Sequence, residues 1–291
     1  MVNTVSNVYQ KARSILLSKE DHYNATLYAR NIVCHFTGIS REKLLTEGEM
    51  PVQEDVSAQI DAAVARLLRD EPLAYVLGQW DFYGMTLQVN KNTLIPRDDT
   101  CAVTDLAIKQ SLFLDTSPRI MDLCTGTGCI GLAIASRVKD AKVTLADISK
   151  DALAVAKKNV TEQKLSARVS CVVADALREP PAFLGKFDLI VSNPPYITGE
   201  EMEELPHSVK AFEPHLALFG GTDGLDFYRN IAEKYRSALK PGGYLCFEFG
   251  MGQGDDVCSI LRTNGFEVLE RVKDYNDIER AVLARYDRKE D

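Results

Sequence analysis

Asp122-Leu123-Cys124-Thr125-Gly126-Thr127-Gly128-Cys129-Ile130-Gly131 is the stretch on which the fold turns. A short apolar run, residues 119–123, leads into it, and an apolar helix-forming run leaves it. Glycines between a strand and a helix let a ligand approach the backbone closely. Outward from this turn, strand-like runs recur at 142–146, 168–174, 187–192, 244–249, 266–272 and 279–285, with helical segments in most gaps. Strands alternating with helices predict an α/β fold, a mostly parallel sheet with helices on both faces.

Acidic residues close the second and third of these strands. Asp147 stands 25 positions after Asp122, where a carboxylate accepts both hydroxyls of a ribose. Asp175-Ala176 ends the third strand, where methyltransferases commonly contact the adenine amino group. Gly126-x-Gly128-x-x-Gly131 also matches the dinucleotide pattern G-x-G-x-x-G. Asp122 decides between the two, because an acid at the start of the loop repels a pyrophosphate and suits the cationic methionyl end of S-adenosylmethionine. The expected cofactor site is therefore Asp122, Cys124, Thr125, Gly126, Thr127, Gly128, Asp147, Asp175 and Ala176, with Asn193 at its far side.

Residues 187–192 are followed by Asn193-Pro194-Pro195-Tyr196. Open α/β sheets place ligands at the C-terminal ends of their strands. An amide or aromatic amine is a poor nucleophile that presents two N–H donors. The Asn193 side-chain oxygen can accept one and the Pro194 carbonyl the other. Such a pair holds the nitrogen in line with a transferable methyl and favours the charge that develops on it. Pro194 and Pro195 stiffen the loop, and the Tyr196 ring is expected to lie against the planar group. Asn193, Pro194 and Tyr196 are the expected catalytic residues, and with Pro195 they form the expected substrate site. The motif alone leaves adenine N6, cytosine N4 and glutamine N5 open.

Upstream the periodicity is helical. Val8, Ala12, Ile15 and Leu16 share one face, as do Ala25, Ala29, Ile32, Val33 and Phe36, and then Val56, Ile60, Ala63, Val64, Leu67 and Leu68. Gly38 is placed to end one helix and Ser40 to cap the next. Residues 1–75 therefore form a helical domain without catalytic pattern, a candidate docking module. Residues 76–95, rich in β-formers with Gly78 and Gly84 as punctuation, read as a β-hairpin linker, and 96–291 as the catalytic domain. Asp98, Asp99 or Thr100 is placed to cap the helix after Pro96.

The 291 residues carry a net charge of −8, which argues against a duplex nucleic acid as main partner and suits a basic protein substrate. No run of about 18 apolar residues predicts a membrane helix, and the N-terminus lacks the apolar stretch of a signal peptide. Seven cysteines without a C-x-x-C pair read as reduced, buried thiols of a cytoplasmic protein. The four histidines do not join them at metal-ligand spacing, so no metal is expected.

In these strings the sequence resembles the release-factor glutamine methyltransferases. The resemblance runs through Glu71-Pro72-Leu73-Ala74-Tyr75-Val76-Leu77-Gly78, Phe82-Tyr83-Gly84, Leu94-Ile95-Pro96-Arg97, Asp122 to Gly128 and Asn193 to Tyr196. It continues in Glu213-Pro214, Ala217-Leu218, Gly220-Gly221-x-Asp223-Gly224-Leu225, Lys240-Pro241-Gly242-Gly243 and Phe247-Glu248-x-Gly250-x-x-Gln253. It implies a five-helix N-terminal domain, a hairpin and a Rossmann-like class I methyltransferase sheet. It also implies a substrate, the glutamine of the Gly-Gly-Gln loop in peptide-chain release factors; glutamine of a ribosomal protein and adenine N6 of nucleic acid are the alternatives, and a monomer is the favoured form on no sequence signal of its own. Three departures stand out: Asp98-Asp99-Thr100 where Pro-Glu-Thr is common, Ala176 where an aromatic or Leu often follows the acid, and Cys124 where Gly or another small residue is common.

Overall fold

The computed structural model describes residues 3–114 and 116–287. The remaining positions of the two expected outer domains, 1–2, 115 and 288–291, lie outside the described residues. The chain divides into two compact units. The first comprises the chain up to Gly78 together with His207–Phe212; the second takes Gln79–Pro206 and the chain from Glu213 onward. The border between these units lies at Gly78/Gln79, three residues from the expected 75/76, and the hairpin groups with the second unit.

Five helices form most of the first unit: α1 (Val5–Leu16), α2 (His22–Thr37), α3 (Arg41–Thr46), α4 (Glu54–Leu67) and α5 (Leu73–Leu77). Their buried residues, Val5, Val8, Ala12 and Leu16 on α1, Ala25, Ala29, Ile32 and Val33 on α2, and Ile60, Ala63, Val64 and Leu67 on α4, follow the helical stripes of the sequence. Gly38 ends α2 at φ +73°, and the Ser40 hydroxyl accepts the Lys43 N–H at the start of α3.

The second unit opens with the hairpin β1 (Gln79–Phe82) and β2 (Met85–Gln88), then α6 (Thr100–Leu112), β3 (Arg119–Leu123), α7 (Cys129–Arg137), β4 (Lys142–Asp147), α8 (Lys150–Glu162), β5 (Val169–Val173) and β6 (Phe187–Ser192). Two short helices follow, α9 (Gly199–Glu204) and α10 (His207–Phe212), the latter packed with the first unit. Then come α11 (Asp226–Lys234), β7 (Leu239–Glu248), α12 (Gly254–Thr263), β8 (Phe266–Lys273) and β9 (Glu279–Tyr286). The seven-stranded sheet has the order β5-β4-β3-β6-β7-β9-β8. β3 to β7 are parallel, and β9 runs antiparallel between β7 and β8. The chain reverses its direction of winding between β3 and β6, so the ends of these two strands open a crevice.

Alternation along the strands sends Ile120, Val143, Leu145, Leu189 and Val191 to one core, and Met121, Leu123, Ile190, Leu245 and Phe247 to the other. Phe82, Met85 and Leu87 of the hairpin join the first core. Asn159 of α8, fully buried, locks the hairpin down: its Oδ1 accepts the Gln88 N–H at 2.7 Å, while its Nδ2 donates to the Gln88 and Thr127 carbonyls at 3.1 and 2.9 Å. One side chain therefore ties the hairpin to the glycine-rich loop.

Asp99 occupies the N-cap position of α6 but makes no capping bond, because its carboxylate pairs with Arg280 at 3.2 Å. All seven cysteines are free; Cys129, Cys246 and Cys258 are buried, whereas Cys34, Cys101, Cys124 and Cys171 are partly exposed, fewer buried than expected. Among the described residues no helix is long and apolar enough to cross a membrane.

Candidate active site

A single cleft gathers the C-terminal ends of β3, β4, β5 and β6. Its wall includes Cys124, Thr125, Gly126, Thr127, Asp147, Asp175, Ala176, Asn193 and Pro195. The loop after β3 is pinned from below. Thr125 N–H donates to the Ala146 carbonyl at 3.1 Å, and Gly128 N–H to the Thr125 carbonyl at 2.8 Å. Gly126 and Gly128 take φ +54° and +85°, which only glycine adopts freely, and Gly128 is the N-cap of α7. Cys124 sits at φ +61°, which explains why glycine suits this position.

Asp122 does not reach the cleft. It lies on the same strand face as Ile120, fully buried beneath α7, where its Oδ2 accepts the Thr125 hydroxyl at 2.6 Å and the Gly131 N–H at 2.9 Å. Burial, only partly offset by these bonds, pushes its carboxyl up to about 7. Through Oδ2 the carboxylate braces the loop, while its buried Oδ1 makes no hydrogen bond within the protein. The third glycine has its reason here too: a Cβ on Gly131 would run into the Leu145 side chain and stand 3.1 Å from the Asp122 Cβ.

Asp147 is placed to serve a ligand. Its Oδ2 accepts the Gly126 N–H and its Oδ1 the Ser149 N–H, both at 2.9 Å. Each oxygen keeps a further lone pair for a hydroxyl in the cleft. Burial raises its pKa, and the backbone amides of Ser149 and Gly126 oppose the rise. Asp175 is similarly oriented by the Leu177 N–H at 2.9 Å. Ala176 adds little bulk; the apolar walls beside it come from Ile148, Leu177 and Phe227, none of which the sequence singled out.

Asn193 follows the last residue of β6. Its Nδ2 donates to the Thr100 hydroxyl at 3.3 Å, which leaves Oδ1 as the acceptor on the other arm of the amide. Pro195 lines the cleft, whereas Pro194 is buried and Tyr196 stands behind the wall. The Tyr196 ring packs against the second core, with its carbonyl held by the Gln253 amide at 3.1 Å. Burial raises the Tyr196 hydroxyl well above the ordinary phenol range.

Two walls come from distant sequence. Residues 91–94 with Pro96 and Arg97 form one and Pro214, Leu216 and Ala217 the other. Glu213, almost fully buried, joins them: its carboxylate accepts the Ile95 N–H at 3.1 Å and pairs with the Arg97 guanidinium. Both strings were visible as family motifs, but nothing local marked them as one wall.

Gly220 and Gly224, which read as turns, pass the backbone of the Asn193–Tyr196 loop. Ile197 and Phe219 form a bridge, with Ile197 N–H to the Leu218 carbonyl and Gly220 N–H to the Ile197 carbonyl at 3.0 and 2.8 Å. A Cβ on Gly220 would lie 2.6 Å from the Tyr196 Cα and 2.7 Å from the Pro195 carbonyl oxygen.

Residues 7–78 match the model described as PrmC N-terminal domain, and residues 104–210 the model described as Methyltransferase small domain. A release factor glutamine methyltransferase of Clostridium acetobutylicum is 39% identical over 241 residues, covering 83% of this chain and 84% of that protein. One from Geobacter sulfurreducens is 35% identical over 284 residues, covering 97% and 96%. A methyltransferase structure from Pyrococcus furiosus superposes with a TM-score of 0.51 at 17% identity, over 77% of this chain and 97% of that one, a likeness of fold.

Proposed function

We propose, because the chain belongs to the family of release factor glutamine methyltransferases, that it methylates the side-chain amide nitrogen (N5) of the glutamine in the Gly-Gly-Gln loop of a peptide-chain release factor. The methyl donor in this reading is S-adenosylmethionine, which when bound supplies an electrophilic methyl on a sulfonium. The observation that carries the reading is Asn193, its amide nitrogen turned to Thr100, in the wall of the same cleft as Asp147.

The residues present suit that donor. Asp147 would hold the ribose hydroxyls, Asp175 and Ala176 the adenine edge, and the loop from Cys124 to Gly128 the methionyl end. Asn193 Oδ1 and the Pro194 carbonyl would accept the two N–H donors of the glutamine amide. Orientation matters because the amide lone pair is delocalised, and acceptors on both hydrogens favour the nitrogen as it becomes positive. No base is needed before attack, since the nitrogen becomes acidic only after the methyl has transferred. The enzyme works in this reading as a cytoplasmic monomer beside the translation machinery.

Asp147→Ala removes a charged acceptor of two hydroxyls, an effect on the order of 1.5–3 kcal/mol. Calorimetry is expected to show S-adenosylmethionine binding weakened by about tenfold to 150-fold. Unchanged affinity removes Asp147 from the ribose site.

The helical unit is proposed to dock the release factor away from its reactive loop. Deleting it would also strip α10 of its partner, where His207 faces Asp70 at 3.4 Å, so substitution on its surface is the cleaner probe. Tyr23 and Leu45 are 75% and 86% exposed. Tyr23→Ser with Leu45→Ser is expected to raise KM for the whole factor by about fivefold, ~1 kcal/mol, while leaving KM for a short Gly-Gly-Gln peptide unchanged. Equal changes for both substrates, or none, argue against docking on this surface. The proposed activity itself is tested by incubating the enzyme with S-adenosylmethionine and a release factor and locating the added methyl group by mass spectrometry; a ribosomal protein or DNA modified in its place overturns the assignment.

A further inference from the structure

The register of the sheet sets Asn193 beside an acid that the reaction described above does not use. Ser192 pairs with Phe247 across β6 and β7, so the next residues, Asn193 and Glu248, stand side by side at the strand ends. Glu248 is 1% exposed. Thr100 and Asn193 lie against its carboxyl and favour its ionised form, yet Oε2 has no partner. Its backbone carbonyl accepts the buried Tyr228 hydroxyl at 3.0 Å, which fixes the strand end.

A buried carboxylate with an unpaired oxygen is costly, and structural need does not account for it. The neighbouring cation does not depend on it: Arg280 pairs with Asp99 at 3.2 Å and Asp274 at 2.9 Å. Burial pushes the Glu248 carboxyl up to about 7, with Thr100, Arg280 and Asn193 pulling it down and Asp99 raising it.

The chemistry of the neighbours is ordered. In its ionised form the Glu248 carboxyl only accepts, so the Thr100 hydroxyl beside it donates to it and keeps its lone pairs for the Asn193 Nδ2, 3.3 Å away. Asn193 Nδ2 is thereby surrounded by acceptors. A flipped amide would set Oδ1 against the carboxylate and turn Nδ2, a donor, toward the donors of the substrate. We propose that Glu248 is a positioning residue for methyl transfer, holding the Asn193 amide through Thr100 so that Oδ1 faces the substrate nitrogen. The inference rests on the methyl-transfer reading of the site and names one more residue in it.

The test uses the full chain with a release factor and S-adenosylmethionine. Wild-type turnover in the same assay checks the methyl-transfer reading separately; the ratio between variants checks this inference. Glu248→Met replaces the unpaired acid with an apolar side chain of similar length. Its melting temperature is expected to hold or rise, while kcat falls by about tenfold or more and KM for S-adenosylmethionine stays within about twofold. Glu248→Gln keeps an acceptor for Thr100 and is expected to recover part of the lost kcat. It also keeps the test alive if the Met variant does not fold. Because the effect passes through Asn193, either substitution is expected to change kcat less than about twofold in an Asn193→Ala background. Wild-type kcat in both single variants, or a loss that multiplies in the Asn193→Ala background, overturns the proposal.

Discussion

Asn193→Ala is expected to lower kcat by about 10²-fold or more, the scale of losing one oriented hydrogen bond formed as charge develops in the transition state. Ala leaves the backbone of the loop in place and removes only the acceptor. The glutamine amide then has one held N–H instead of two, and its nitrogen samples orientations out of line with the methyl. S-adenosylmethionine affinity is expected to change little, because Asp147 and the loop after β3 do not depend on Asn193 for their hydrogen bonds. Asn193→Asp keeps an acceptor but loses the donor to Thr100 and brings a second carboxylate beside Glu248. It is expected to be impaired as well. Single-turnover kinetics with saturating cofactor separate these effects from binding, and wild-type rates in Asn193→Ala would end this account of the site.

Gly220→Ala is expected to be nearly as damaging, although Gly220 touches no substrate. The added Cβ meets backbone on both sides, the Tyr196 Cα and the Pro195 carbonyl, and backbone cannot swing away as a side chain can. The Asn193–Tyr196 loop or the segment from Leu218 to Gly220 has to move. A displacement of about 1 Å at a reacting group costs on the order of 10²-fold in rate. Overpacking also lowers stability by about 1–3 kcal/mol. The expected pattern is kcat down by about 10²-fold at a temperature where the variant is folded, with S-adenosylmethionine binding within about twofold of wild type. Gly199→Ala is the control: its Cβ would meet only Phe219, at 3.9 Å, and activity is expected to be retained. Full activity in Gly220→Ala would show that the close approach is not needed.

Much of this architecture is legible in the sequence because it is local. The strand-turn-helix at 119–137 announces itself by apolar runs around glycines, and Asp147 and Asn193 by their places at strand ends. Asp122 shows the limit. Its position in the motif was plain, but its direction follows from strand alternation, which puts it with Ile120 under α7 and not with the cleft. For Tyr196, what packs on the ring, Gly250 and the second core, arrives from far along the chain. The same holds for Glu213, whose partner Ile95 lies 118 residues away. Glycines 220 and 224 carry a turn signal whether or not they also make room for another backbone, and only the fold shows that they do.

The central claim is that the cleft recognises an amide by its two donors. A release factor and its variant with Gln replaced by Glu in the Gly-Gly-Gln loop differ only at the reacting group: the carboxylate is charged, sets oxygen against Asn193 Oδ1 and the Pro194 carbonyl and leaves both acceptors unpaired. Single-turnover methylation of the two proteins, read by intact mass and peptide mapping, is the direct measurement. The account predicts one methyl group on the glutamine of the wild-type loop and none on the Glu variant over the same time. Methylation of the Glu variant at a comparable rate, or of the wild-type factor at a different residue, would contradict it.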